Sequence, residues 1–289
     1  MTKVTVGIPS YNEQSNIKTI LESLIYSNLN SINLSEIIIS DDSTDDTPNI
    51  VNQFMKNHSK KIIFLHNDKR KGAASAWNDI IQNANGEIIV LYDADVNPNP
   101  DCTVELVKKI NDNVGICASN PKAIPSKGIP AQGTIFLGSW LESVRKRQLS
   151  QYTVMGRGLS IRSDIAKKIT IPETLIAIDL YLQNRVIDMG YDVVFNPNAV
   201  VQFKPAKTFV DFSSQVMRAT KGHRQLKELG YSIKYQLSFR AAIGEFIRVA
   251  MKNPNGALST CLCLIMIPVF ASRGKNLDNE LWHIAESTK

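Results

Sequence analysis

Two hydrophobic periods alternate through the first third of the chain. Val4 to Ile8, Glu36 to Ile39, Ile62 to Leu65 and Glu87 to Leu91 are short, β-branched apolar runs of strand length. Between them, Ile17, Ile20, Leu21, Leu24 and Ile25 recur at helix-face spacing, Thr47-Pro48 opens a second helical pattern, and Ala73 to Ile81 makes a third. Strand and helix in alternation predict a mostly parallel sheet with helices on both faces. Beyond it the pattern predicts a helix from Asp101 to Ile110, a strand from Val114 to Ala118, a proline-bearing loop over 121–130 and a helix from Ile135 to Leu149. That helix ends in Arg145-Lys146-Arg147, read as a solvated basic helix end. A helix from Asp179 to Met189, strands Val193 to Phe195 and Val200 to Phe203, and a long helix from Phe209 to Glu228 follow.

Open parallel sheets bind ligands at the carboxyl ends of their strands. Four successive strand ends here carry polar clusters: Pro9-Ser10-Tyr11-Asn12-Glu13, Ser40-Asp41-Asp42-Ser43, Asn67 to Gly72, and Asp93-Ala94-Asp95. In the last, alternation puts both carboxylates on one side of an extended backbone, where they can reach one hard divalent cation or a diphosphate–metal complex.

The 289 residues, 43% hydrophobic and 21% charged, have an ordinary globular composition. The net charge of +6 suits a phosphate-rich ligand or an anionic membrane surface, and with no basic tail nucleic acid is not an expected partner. Cys102, Cys117, Cys261 and Cys263 have neither zinc-site spacing nor a secreted disulfide pattern, which points to a reducing cytosol. Strand-like sequence from Lys3 leaves no room for a signal peptide, so a cytoplasmic location is expected.

The clusters, in this order, resemble the inverting family 2 glycosyltransferases of GT-A fold. Val6-Gly-Ile-Pro-Ser-Tyr-Asn-Glu13 is similar to the family's opening strand and nucleotide loop, and Glu36 to Thr47 to its second strand and base-reading acidic turn. Lys69-Arg-Lys-Gly-Ala-Ala-Ser-Ala76 resembles its basic Gly-Ala segment, and Asp93-Ala-Asp95 its metal motif. The resemblance implies a donor site for a UDP- or GDP-sugar built from Pro9, Tyr11, Glu13, Asp41, Asp42, Lys71, Gly72 and Asp93. It implies Mg²⁺ or Mn²⁺ on Asp95 with help from Asp93, and His223 as a candidate to complete the metal shell. Ile178-Asp179-Leu-Tyr-Leu182 is similar to the acceptor-side segment, which makes Asp179 the general base for a hydroxyl acceptor, lipid-linked or a glycan. Gln215-Val-Met-Arg218 resembles the Gln-x-x-Arg-Trp motif of processive members, with Arg218 near the diphosphate.

Two departures stand out. Ile178 replaces the usual Glu of a Glu-Asp pair, and Ala219 stands where the Trp would be, which argues against a polysaccharide synthase. The alternatives kept open are a sugar-phosphate nucleotidyltransferase and a non-catalytic nucleotide-sugar-binding protein. Met155-Gly-Arg-Gly158 is a candidate wall of the acceptor pocket. The expected division is a GT-A domain over 1–230, with a donor half (1–118) and an acceptor half (119–230), then a helical segment over 231–289.

That last segment has its own pattern. Phe239, Ile243, Phe246, Ile247 and Ala250 alternate with Arg240, Arg248 and Lys252, as in a helix lying on an anionic bilayer, and Asn253 to Ser272 carries no charge. The competing expectation is a helical pair packed on the domain.

Overall fold

The computed structural model describes residues 1–58, 61–150, 156–231 and 237–271. The elements of the first half are β1 (Thr2–Ser10), α1 (Ile17–Ile25), β2 (Ile32–Asp41), α2 (Thr47–Asn57), β3 (Ile62–His66), α3 (Ala73–Asn83), β4 (Ile88–Tyr92), β5 (Val96–Pro98), α4 (Cys102–Val107) and β6 (Val114–Ala123). Then come α5 (Ile129–Lys146), β7 (Gly158–Arg162), α6 (Ser163–Ala166), α7 (Ile178–Asp188), β8 (Asp192–Phe203), α8 (Phe209–Glu228), α9 (Phe239–Ala250) and α10 (Pro254–Ala271). The strands form one sheet in the order β3-β2-β1-β4-β7-β6-β8-β5.

From β3 through β2 and β1 to β4 the pairing is parallel, as expected. β7 then runs antiparallel to both β4 and β6, β8 returns parallel to β6, and β5 closes the edge antiparallel to β8. Alternation divides the strands between two cores. Ile37, Ile39, Val90 and Tyr92 pack with α1, α2 and α4, whereas Ile38, Ile89 and Leu91 pack with α3, α6 and α7. This is the two-faced sheet that the apolar runs predict, and it places the polar strand ends on one edge.

At the opposite edge a single carboxylate gathers several segments. Glu36, 2% exposed, accepts from Thr5 Oγ1 (2.8 Å) and from the backbone and side chain of Asn85 (2.7 and 3.3 Å). Gly86 N in turn donates to Thr5 Oγ1 at 2.9 Å. Hydrogen bonds hold the Glu36 carboxyl below its ordinary range although burial opposes them.

Several boundaries differ from expectation. The two predicted strands over 193–203 are one strand, β8, paired along β6 with its register shifted between Ala118 and Asn120. α5 starts six residues early, with Pro130 in its first turn, where a missing N–H costs no helix bond. Its basic end is not simply solvated. Arg145 is 6% exposed, donates to Ser119 O at 3.2 Å and stacks 4.4 Å from the Phe195 ring, while Lys146 and Arg147 pair with Glu142 and Glu245.

The C-terminal helices pack on the domain. α10 lies against α5 and α8, and Thr260 Oγ1 donates to Gly133 O at 3.2 Å. α9 is held to α5 by Trp140 Nε1 donating to Ala242 O at 3.1 Å and by Ser143 Oγ donating to Glu245 at 2.6 Å. No helix among the described residues is long and apolar enough to cross a membrane.

Candidate active site

The carboxyl ends of β1 and β2 are laced together. Asn12 takes a left-handed backbone (φ 53°), a conformation its short polar side chain tolerates, and its N–H donates to Ser43 Oγ at 2.7 Å. Its Oδ1 accepts from Thr44 N at 2.8 Å. One step along, Asp42 joins β2 to the loop before α3. Its Oδ2 accepts the backbone N–H groups of Lys71 (2.7 Å) and Gly72 (3.0 Å), and its Oδ1 accepts from Asn67 Nδ2 (3.1 Å). A carboxylate offers about four acceptor sites, so Asp42 still has capacity for a ligand N–H.

These bonds sort the neighbouring candidates. Asp41, fully buried, turns away from the cleft and bonds Ser43 and, at 2.8 Å, His66 Nδ1. Lys71 contributes its backbone to Asp42 and does not line the cleft; Arg70 does, with its guanidinium 4.0 Å from the Tyr11 ring. Of these candidates the cleft wall therefore holds Asp42, Arg70 and Gly72, and Asp41 and Lys71 are not on it.

The cleft, about 540 Å³, is lined by Pro9, Tyr11, Glu13, Asp42, Gly72, Asp93, Asp95, Asp179, Gln215, Arg218 and His223 among others. That volume lies within the range of small-molecule sites. Asp93 and Asp95 leave the end of β4 into it. Burial, then the Asp95 charge, raise the Asp93 carboxyl to about 6, against the pull of Arg157 and Arg218.

Arg157, inside the Met155-Gly-Arg-Gly158 stretch read as a wall of the acceptor pocket, meets both acids. Its N–H donates to Asp93 Oδ2 at 3.2 Å, its guanidinium is 4.0 Å from Asp95 Oδ2, and it stacks 3.6 Å from the Phe203 ring. Gly156 and Arg157 both have positive φ (53° and 62°), a turn that brings backbone up to the acids. A Cβ on Gly156 would stand 3.7 Å from Asp179 Oδ2 and 4.0 Å from Asp93 Oδ2, so the two carboxylates flank the same glycine. Met155, next to this turn, lies outside the described residues.

Asp179 sits in the first turn of α7 and accepts the backbone N–H groups of Leu180 and Gly156. Burial outweighs those bonds and leaves its carboxyl above the ordinary value. Across from it, α8 supplies Gln215, Arg218 and His223 to the wall. α8 comes this close because Gly222 has no side chain; a Cβ there would lie 2.7 Å from Ala177 Cβ, at the start of α7.

Among the described residues no group of three His, Cys, Asp or Glu side chains is placed to hold a metal, so the expected set of Asp93, Asp95 and His223 does not assemble. His223 is carried on α8, near Asp179. The acid pair still fits Mg²⁺ or Mn²⁺ in the manner of ions that take one or two protein carboxylates and fill their remaining positions with substrate phosphate and water. Ser10 Oγ, 6% exposed on the cleft wall, has no hydrogen-bond partner among the described residues, as a donor awaiting a ligand acceptor would.

With this geometry in view, residues 5–169 match the model of Glycosyl transferase family 2. The probable glycosyltransferase YdaM of Bacillus subtilis is 26% identical over 236 residues, 78% of this chain but 56% of that protein. Glycosyltransferase AglE of Haloferax volcanii is 26% identical over 229 residues, covering 77% of this chain and 73% of AglE. Among solved structures, the mannosyltransferase PcManGT from Pyrobaculum calidifontis, in complex with GDP-Man and Mn²⁺, superposes with a TM-score of 0.65 over 96% of this chain and 76% of that one at 20% identity. Fold, motif order and family match agree: the chain is a member of glycosyltransferase family 2 with a GT-A-like fold.

Proposed function

We propose that the chain is a metal-dependent inverting glycosyltransferase that moves a sugar from a UDP- or GDP-sugar to a hydroxyl of a lipid-linked or glycan acceptor. The observation that carries this reading is the convergence of Asp93 and Asp179 on Gly156, with Asp95, Arg157 and Arg218 in the same cleft. One carboxylate group serves the leaving diphosphate and another the incoming hydroxyl.

Tyr11, Arg70 and Asp42 border the nucleoside, with the guanidinium already stacked on the ring and Asp42 offering an acceptor to a base N–H. A divalent ion on Asp93 and Asp95 would supply Lewis-acid neutralisation of charge on the diphosphate. Arg157 and Arg218 add fixed positive charge beside the same oxygens. Asp179 takes the proton of the acceptor hydroxyl as its oxygen bonds to the anomeric carbon and the anomeric C–O bond breaks. The electron pair leaves with the nucleoside diphosphate, and one displacement inverts the configuration. A carboxyl raised above its ordinary range by burial is a stronger base than a solvated one, which suits that task.

GDP-Man and Mn²⁺ in the P. calidifontis structure support this choice of donor class and ion. Four cysteines without a disulfide spacing fit action in the cytosol or on the cytoplasmic face of a membrane. The test is thermal stabilisation by UDP-, GDP- and dTDP-sugars with Mn²⁺ or Mg²⁺. A donor at 100 times its Kd should stabilise by about 2.7 kcal/mol, and chelation should abolish the shift. No shift with any donor would overturn the reading.

A further inference from the structure

Apolar stripes face solvent on the two C-terminal helices. Phe239, Ile243 and Ile247 repeat every four residues along α9 and are 79, 43 and 53% exposed. On α10, Leu258, Leu262 and Ile265 follow the same helical spacing and are 62, 41 and 71% exposed. Single exposed apolar residues are ordinary, but three at helical spacing on each of two helices in contact with one another are not.

Among the described residues of α9, α10 and the turn between them, the exposed charges are all basic. α10 carries no charged residue. The acid of α9, Glu245, is 2% exposed and turned inward to Ser143, Arg147 and Arg248, which keep its carboxyl below the ordinary range despite burial. Arg240, Arg248 and Lys252 stay exposed beside the apolar row. A second copy of this chain packed on the face would bring like charges together, whereas an anionic surface complements them. Long basic side chains can lie along the apolar row and hold their charges at the headgroup level.

The surface also adjoins the cleft. Leu237, two residues before α9, lines it, as do Leu141, Val144 and Arg145 of α5, the helix to which α9 is bonded.

We propose that α9 and α10 lie flat on an anionic lipid bilayer, so that the cleft draws its hydroxyl acceptor from the membrane. The acceptor half of this statement rests on the glycosyltransferase reading; the docking half does not. Flotation of the full chain with lipid vesicles, in the absence of donor, separates the two. Vesicles containing phosphatidylglycerol should carry the protein, pure phosphatidylcholine vesicles should carry far less, and high salt should release it. The double substitution Ile243→Glu with Ile247→Glu should weaken binding by roughly 10²-fold, while donor-induced thermal stabilisation stays intact and reports that the variant is folded. Arg240→Glu with Lys252→Glu should remove the preference for anionic lipid. Failure of the wild-type chain to float, or equal flotation of the Ile243/Ile247 variant, overturns the proposal. So does a lipid-free dimer, seen by light scattering, that the same variant dissolves in a protein that ignores vesicles. Failure of donor binding alone would instead remove the glycosyltransferase reading and leave the docking result standing.

Discussion

The two walls of the cleft are built by different means. On the donor wall, loops at adjacent strand ends bond directly to one another: Asn12 to Ser43 and Thr44, Asp42 to Lys71 and Gly72. The acceptor wall is assembled from a left-handed turn, the start of α7 and the side of α8, brought together by the contact of Gly222 with Ala177. The first wall is held by hydrogen bonds between neighbouring strand ends, and the second by the close approach of two helices. Donor recognition should therefore tolerate changes on the acceptor wall, and chemistry should not.

Asp179→Asn tests this most sharply. Removing the base should lower transfer by about 10²–10⁴ while the donor Kd, measured by calorimetry, moves little. Wild-type turnover in that variant would remove Asp179 from its role. Gly222→Val comes next. The added side chain must push α8 from Ala177, at a cost of about 1–3 kcal/mol, and kcat should fall further than donor affinity. Equal losses in both would mean that the two walls are one mechanical unit.

Asp93→Asn probes the donor wall. Its folded-state pKa of about 6 lies above that of the unfolded chain, so ionising Asp93 costs the ligand-free fold stability as pH rises through that interval. The variant should thus be more stable than wild type at pH 7.5, on the order of 3 kcal/mol, with the gain vanishing by about pH 3. Metal-dependent donor binding should be lost at the same time, and thermal melts with and without donor and Mn²⁺ read both effects.

Much of the donor wall was legible because its signals are local. Apolar runs fixed the strands, and the polar clusters fell where the runs stop. What the chain could not declare was which of two neighbours faces inward: Asp41 or Asp42, Arg70 or Lys71. That choice depends on pairing with β3 and on capture of the Lys71 and Gly72 amides by Asp42. The acceptor wall was less readable. Gly158 to Arg162 has Leu159 and Ile161 as its apolar residues and lacks the continuous apolar run of β3 or β4, and its place between β4 and β6 is set by partners far away in sequence. The contact of Arg157 with Asp93 and Asp95 was hidden for the same reason. The positive-φ pair that aims it lies in a glycine-flanked stretch, and the one sequence clue was Gly156-Arg-Gly158 itself.

Glu36, away from the cleft, ties three segments together. By gathering Thr5 and Asn85 around one carboxylate, it joins β1 and β2 to the turn before β4. Removing that carboxylate would leave the buried Thr5 hydroxyl without its acceptor, at a cost of about 1–3 kcal/mol.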